Sequence, residues 1–239
     1  FLDPSGRLLT RTQNLQEVAS FSQPLPFSFV RRGADLGHSV AASFRLAPDE
    51  KIFGCGESFT GLNKRGQKVH AYTRDGMGAQ TEKMYKPIPF FMSSAGYGMF
   101  VHTSAPVTFD FGQAFDQSNM IYAGDETLDL FIFLGDPKEI LSEYTALTGR
   151  SPVAPLWSFG LWMSRITYKS EDEVREVAAK LRQYRIPSDV IHIDTGWFET
   201  DCQCNYKFSP SRFPDPAGMI ADLRRQGFRI SLWQLPYFT

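Results

Sequence analysis

The feature that most constrains this chain is a proline-punctuated junction, Ser151-Pro152-Val153-Ala154-Pro155, because the hydrophobic grammar changes across it. Upstream, short apolar alternations follow one another between turn residues. Downstream, strand-like runs alternate with segments of helical period. Proline cannot continue a helix or a central strand, so the junction reads as a domain boundary. The expectation is a β-rich domain over residues 1–150 and an α/β domain over residues 151–239.

In the first part, runs at Leu15 to Phe21, Phe27 to Val30, Ser39 to Leu46, Met99 to His102, Val107 to Phe111 and Leu128 to Leu134 read as strands. Turn clusters such as Asp3-Pro4-Ser5-Gly6, Arg32-Gly33-Ala34-Asp35 and Ala123-Gly124-Asp125 separate them. Many short strands without helical period point to an antiparallel β-sandwich. Phe53-Gly54-Cys55-Gly56-Glu57 opens what reads as a long polar loop through Arg74-Asp75 to Tyr85-Lys86-Pro87-Ile88-Pro89. Loops of that length are often functional. Asp136-Pro137 reads as a helix start, Gly149 as its end, and Ile140, Leu141, Tyr144 and Leu147 as its apolar face.

In the second part the order is β-α-β-α-β, which returns each strand parallel to the last. Phe159 to Met163 reads as the first strand, ending at Ser164-Arg165-Ile166. Ser170 and Glu173 have capping-box spacing, and Val174, Val177, Ala178, Leu181 and Tyr184 follow at helical intervals. Val190 to Ile193 is the second strand. Asp215-Pro216 opens the next helix, Gly227 closes it, and Phe228 to Leu232 is the third strand, ending at Trp233-Gln234. Three strands do not close a barrel, which takes about eight and roughly 250 residues. The expectation is therefore the opening of a (β/α)8 TIM barrel, with the remainder of the same polypeptide beyond Thr239. A start at Phe1 rather than Met points to further chain upstream as well.

Asp194 closes the second strand and is followed by Thr195-Gly196-Trp197-Phe198. In parallel α/β folds the C-terminal strand ends face the ligand. A carboxylate that accepts hydroxyl hydrogens, beside flat apolar rings, suits a sugar. The competing reading is a turn or N-cap aspartate. The three strand ends together, carrying Arg165, Ile166 and Tyr168, then Asp194, Thr195 and Trp197, then Trp233 and Gln234, are expected to form an aromatic-walled cup.

The aromatic fraction of 14 %, with 21 Phe, 9 Tyr and 4 Trp, fits either such a cup or a β-rich core. A net charge of −1 gives no basis for binding nucleic acid or an anionic membrane. No apolar run reaches membrane-spanning length and no secretory leader is visible, so the expected location is cytoplasmic. Cys55, Cys202 and Cys204 make no disulfide framework and fit reduced thiols. The four histidines show no metal-ligand spacing, and no glycine-rich phosphate loop follows a strand, so neither metal nor cofactor is expected. A homo-oligomer is compatible with the sequence.

The stretches Gly160-Leu161-Trp162-Met163-Ser164-Arg165, His192-Ile193-Asp194, Phe213-Pro214-Asp215-Pro216 and Ser231-Leu232-Trp233-Gln234 together resemble glycoside hydrolase family 31, in the α-xylosidase and α-glucosidase branch. Upstream, Phe53-Gly54-Cys55-Gly56-Glu57, Thr73-Arg74-Asp75 and Phe90-Phe91-Met92-Ser93-Ser94-Ala95-Gly96-Tyr97-Gly98 look like that family's galactose-mutarotase-like N-terminal sandwich. The resemblance implies a retaining, exo-acting α-glycosidase that takes terminal α-linked xylose or glucose from an oligosaccharide or α-glycoside; an α-transglycosylase of the same family and a non-catalytic carbohydrate-binding protein are the alternatives. It implies that Asp194 grips hydroxyls of the −1 sugar, that Trp233 walls the pocket, and that Ile166 and Thr195 bear on which sugar is accepted. It places Asp75, with Arg74, on a sandwich loop that reaches the leaving-group side. Thr195-Gly196-Trp197 departs from the Cys-Phe pair expected of α-xylosidases. The reacting carboxyls are expected beyond Thr239, so no catalytic residue is assigned here and residues 1–239 alone are expected to hydrolyse nothing.

Overall fold

The computed structural model describes residues 1–13, 24–31, 37–76, 81–200 and 203–235. The expected strand at Leu15 to Phe21 and the residue Cys202 lie outside these. The chain forms two compact units, Phe1–Arg150 and Ser151–Thr239.

The described residues of the first unit hold nine strands: β1 (Phe27–Arg31), β2 (His38–Arg45), β3 (Ile52–Gly56), β4 (Lys68–Ala71), β5 (Pro87–Ser93), β6 (Tyr97–Val101), β7 (Val107–Phe111), β8 (Ser118–Ala123) and β9 (Leu130–Leu134). One sheet runs β1-β2-β8-β7-β4 and the other β3-β5-β6-β9, every pairing antiparallel. Their inner faces share one core of Phe44, Ile52, Phe91, Tyr97, Met99, Phe109, Phe111 and Ile121. Phe91 is the centre of an aromatic cluster, with its ring edge-on to Tyr97, Phe109 and Phe111 at 6.3, 5.5 and 5.0 Å. Edge-to-face pairs of this kind add about 0.5–1.5 kcal/mol each beyond area burial. Much of the aromatic content is thus core rather than pocket wall.

Alternate residues of the second sheet face outward, where Phe90 and Phe133 meet the helix α1 (Pro137–Thr148). Asp136 caps α1 by accepting from the amides of Lys138 and Glu139, and the Glu139 carboxylate accepts from the Asp136 amide in return. The tyrosine ring of Tyr144 stacks on Phe90 at 4.0 Å, and Ile140 is fully buried. Leu141 and Leu147, expected on the same face, are exposed; the contact is confined to Ile140 and Tyr144.

The expected loop from Phe53 to Pro89 overlaps β3, β4 and the start of β5. β3 carries a bulge between Gly54 and Gly56, with Cys55 at φ +69°. A Cβ on Gly56 would lie 2.2 Å from the Lys86 carbonyl oxygen, so β5 approaches a backbone that admits only glycine. Cys55 is a buried free thiol whose pKa burial pushes up to about 12. Glu50 is also buried; its carboxylate accepts from the hydroxyls of Ser93 and Tyr97 at 2.5 and 2.6 Å and from the Ala47 amide at 2.9 Å. Those three donors replace water around a charge that would otherwise be costly to bury.

The second unit begins with a short 3-10 turn, Leu156–Phe159, which takes in only the first residue of the expected strand. Pro155 starts the turn, and Trp162 holds it by donating from its indole N–H to the Ser158 carbonyl at 3.1 Å. The first strand, β10, is consequently Trp162–Arg165, followed by α2 (Glu171–Gln183), β11 (Val190–Ile193), α3 (Pro216–Arg225) and β12 (Arg229–Leu232). The three strands pair in parallel in the order β10-β11-β12. Ile191 and Ile193 pack with Val174, Ala178 and Leu181 of α2 and Met219 and Leu223 of α3. Tyr184 lies just past α2 and is exposed. Ser170 caps α2 through the Glu173 amide, but the capping box is not reciprocal: the Glu173 carboxylate accepts from Lys169 N–H at 2.6 Å and pairs with Arg165. The two helices are clamped by Arg175, which bridges Glu171 on α2 and Asp222 on α3. Among the described residues no helix is long and apolar enough to cross a membrane.

Candidate functional site

The register fixes where the strand ends stand. Arg165, Ile193 and Leu232 are abreast. One step further lie Ile166, Asp194 and Trp233, and Trp233 continues the ladder by donating its N–H to the Ile193 carbonyl at 2.9 Å. The expected trio is therefore brought together at the C-terminal edge of the sheet. Side chains alternate along a strand, so Ile191 and Ile193 turn to the helices while His192 and Asp194 turn the other way.

Asp194 is half-buried and begins a 3-10 turn over Thr195–Trp197. Its Oδ1 accepts from the Thr195 amide at 2.7 Å. The turn-cap reading of the residue is met: it caps a turn with one oxygen. Its second oxygen has no hydrogen-bond partner among the described residues. That oxygen is an acceptor held at a strand end, the disposition that receives a ligand hydroxyl.

Thr195 is half-buried beside Asp194, and Ile166 is 89 % exposed. Their loops are locked together. The Gly196 amide donates to the Thr167 hydroxyl at 2.8 Å. A Cβ on Gly196 would stand 2.5 Å from both that hydroxyl oxygen and the Tyr168 carbonyl oxygen. Gly196→Ala must push the two loops apart. The expected cost is about 1–3 kcal/mol of stability and a fall in activity on any ligand held by Asp194, checked by thermal melts and kinetics of the full-length protein.

The aromatic cup is corrected by the burial of its walls. Trp197 is 3 % exposed and lies in the core of the unit, its ring 4.1 Å from Phe198 and 5.0 Å from Phe208. Its indole N–H donates to the Trp233 carbonyl at 2.8 Å, tying the end of β12 to the loop after β11. Phe198 and Phe213 are buried in the same cluster, and so is Tyr168. Nor does Arg165 enter the cup: it pairs with Glu173 at 2.7 Å and lies over the Tyr168 ring. An aromatic segment after a strand is apolar enough to seal the unit's core, and that demand takes these rings. Of the rings on the three strand ends, Trp233 is the one left half-buried among the described residues, edge-on to Phe198 at 6.2 Å, with surface left for a ligand.

Arg74 and Asp75 belong to the first unit and are exposed there. Arg74 lies 5.6 Å from the Tyr72 ring centroid, a cation–π contact. The Tyr85 hydroxyl donates to the Asp75 carboxylate, which holds the loop after β4 to the segment before β5. Beside them is a cleft of about 690 Å³ lined by Gly56, Glu57, Phe59, Lys64, Gly76 and Tyr85. Tyr85 was missed as a partner of Asp75, although its phenol ten residues away was the only signal to find. No group of three or more His, Cys, Asp or Glu able to hold a metal ion occurs among the described residues.

Comparison with known proteins bears on both units. The profile described as Glycosyl hydrolase 31 N-terminal galactose mutarotase-like domain matches residues 5–110. That of the Glycosyl hydrolases family 31 TIM-barrel domain matches residues 151–239. The chain is 33 % identical to the alpha-xylosidase XylQ of Lactiplantibacillus pentosus, over 98 % of this chain and 30 % of that protein. It is 34 % identical to Alpha-glucosidase 2 of Bacillus thermoamyloliquefaciens, over 76 % of this chain and 24 % of that one. The solved family 31 dextranase FjDex31A of Flavobacterium johnsoniae, complexed with glucose, superposes with a TM-score of 0.81 at 31 % identity, covering 97 % of this chain and 27 % of its own. The chain thus spans less than a third of the length of these relatives. A sandwich followed by the opening of a TIM barrel, matched in that order by two profiles of one family, shows that the chain belongs to glycoside hydrolase family 31.

Proposed function

We propose that the full-length protein is a retaining, exo-acting α-glycosidase that releases terminal α-linked xylose or glucose from oligosaccharides, and that it works in the cytoplasm. The observation that carries the reading is the Asp194 carboxylate, one oxygen of which has no hydrogen-bond partner among the described residues, at a barrel strand end in register with Trp233. A carboxylate there accepts hydrogen bonds from adjacent hydroxyls of a terminal sugar, and the Trp233 face covers its apolar side. Retaining hydrolysis needs two further carboxyl groups about 5–5.5 Å apart, one attacking the anomeric carbon and one protonating the leaving oxygen. In this reading they come from barrel strands other than β10, β11 and β12. Trp197 supports the site from the core rather than touching sugar.

Transfer to a sugar acceptor instead of water is the second reading. It is favoured by likeness to the Isomaltosyltransferase of Sporosarcina globispora, 26 % identical over 87 % of this chain and 21 % of that one. A panel of nitrophenyl α-xyloside, α-glucoside and α-galactoside, run on the full-length protein with and without a sugar acceptor, tests both. Release of α-xylose or α-glucose is expected, and no turnover of either would overturn the proposal. Thr195→Cys is expected to change the ratio of xyloside to glucoside turnover severalfold while leaving the melting temperature within about 2 °C, since a side chain of similar size costs little stability. An unchanged ratio removes Thr195 from the sugar contacts.

A further inference from the structure

Beneath the row of Ile166, Asp194 and Trp233 lies a second row on the same face, Ser164, His192 and Ser231, in register across the three strands. Barrel interiors are filled mainly by branched apolar side chains, so three polar residues abreast call for a reason. The neighbouring row on the opposite face, Met163, Ile191 and Ile230, is wholly apolar and packs against the helices. His192 is half-buried, and its Nδ1 is hydrogen-bonded to the Ser231 hydroxyl at 3.0 Å. At about 3.3 Å of rise per residue the imidazole layer lies about 6.6 Å below Asp194. Ser231 stands in the same relation to Trp233.

This is a bond between two strands, placed directly under the two side chains that the sugar reading requires to cooperate. We infer that His192 is a positioning residue for the sugar site: joined to Ser231, it sets the spacing of the β11 and β12 tips and so the aim of Asp194 relative to Trp233. The imidazole is the one group in its row broad enough to span the gap between strands. Ring orientation is fixed by the serine. Its loss would leave a void below the carboxylate, into which Asp194 can sink or water can enter, while the helix-facing core stays intact.

The inference rests on the sugar-site reading, and the test separates the two. In the full-length protein, His192→Ala, His192→Asn, Ser231→Ala, Asp194→Asn and the double variant His192→Ala/Asp194→Asn are compared for kcat and KM on an aryl α-glycoside and for inhibition by free glucose and xylose. His192→Ala is expected to raise KM and the inhibition constants about tenfold, and His192→Asn, which can keep the bond to Ser231, to recover most of that. In the Asp194→Asn background His192→Ala is expected to add less than about twofold, because a residue acting through Asp194 has nothing left to position. If His192→Ala does not fold, Ser231→Ala carries the same readouts, with a smaller change of the same sign. Unchanged constants in a folded variant, or full additivity with Asp194→Asn, overturn the inference alone. A wild-type protein that neither turns over the glycoside nor binds either sugar overturns the sugar reading and the inference with it.

Discussion

Asp194→Asn in the full-length protein is expected to lower kcat/KM on its α-glycoside by about 10–150-fold, the equivalent of 1.5–3 kcal/mol for hydrogen bonds to a charged acceptor. The substitution is nearly isosteric, and the side-chain carbonyl of asparagine can still accept from the Thr195 amide as Oδ1 does. Asparagine caps helical turns as well as aspartate does. The turn over Thr195–Trp197 should therefore survive, and the melting temperature should hardly move. What is lost is the charge, and with it the strength of whatever the second oxygen grips. If Asp194 served only as a cap, kcat/KM would stay near wild type. The one variant therefore decides between the two roles, and kinetics together with a melt are sufficient to read it. Since hydroxyl contacts that tighten as charge develops on the ring act on the transition state, the fall should appear in kcat at least as much as in KM.

The largest loss of stability is expected from Trp197→Ala. The indole is almost wholly enclosed, and large-to-small substitution of a buried aromatic costs about 3–5 kcal/mol. The Trp233 carbonyl would also lose its donor. Trp197→Phe should retain much of the packing and lose the hydrogen bond, for a cost of about 1–3 kcal/mol. Denaturant titration of the full-length protein checks both. A wall that stacks on sugar would behave otherwise: KM would rise on Trp197→Ala with little change in the midpoint. That outcome would return Trp197 to the ligand side.

Much of the architecture was legible in the residues because period and punctuation agree. Val190 to Ile193 is β-branched and bounded by turn residues, and it forms a strand over the expected span. Asp136-Pro137 and Asp215-Pro216 each start a helix for the capping reason anticipated. The four missed strands share a different cause. β5 contains Pro87 and Pro89, β3 contains Gly54 and Gly56, and β4 and β8 begin with polar residues. Local preference speaks against strand in each, and pairing with neighbours distant in sequence overrides it.

At the site, the position of Asp194 at a strand end was legible, but the use of the surrounding rings was not. Trp197, Phe198 and Phe213 carry no local mark of which way they face, and a small α/β unit needs large apolar groups to cover its own helices. The His192–Ser231 bond was hidden for a related reason. Its members are 39 residues apart, and only the parallel register brings them abreast.

The interlock at Gly196 reaches into how such a protein can diversify. Thr167 and Tyr168 fill the space where any side chain at position 196 would stand, so the segments bearing Ile166 and Thr195 cannot be redrawn one at a time. In the proposed sugar site, preference is then a joint trait of two strand tips. A change at one is filtered by the residue already present at the other, and the order in which replacements arrive decides which of them survive.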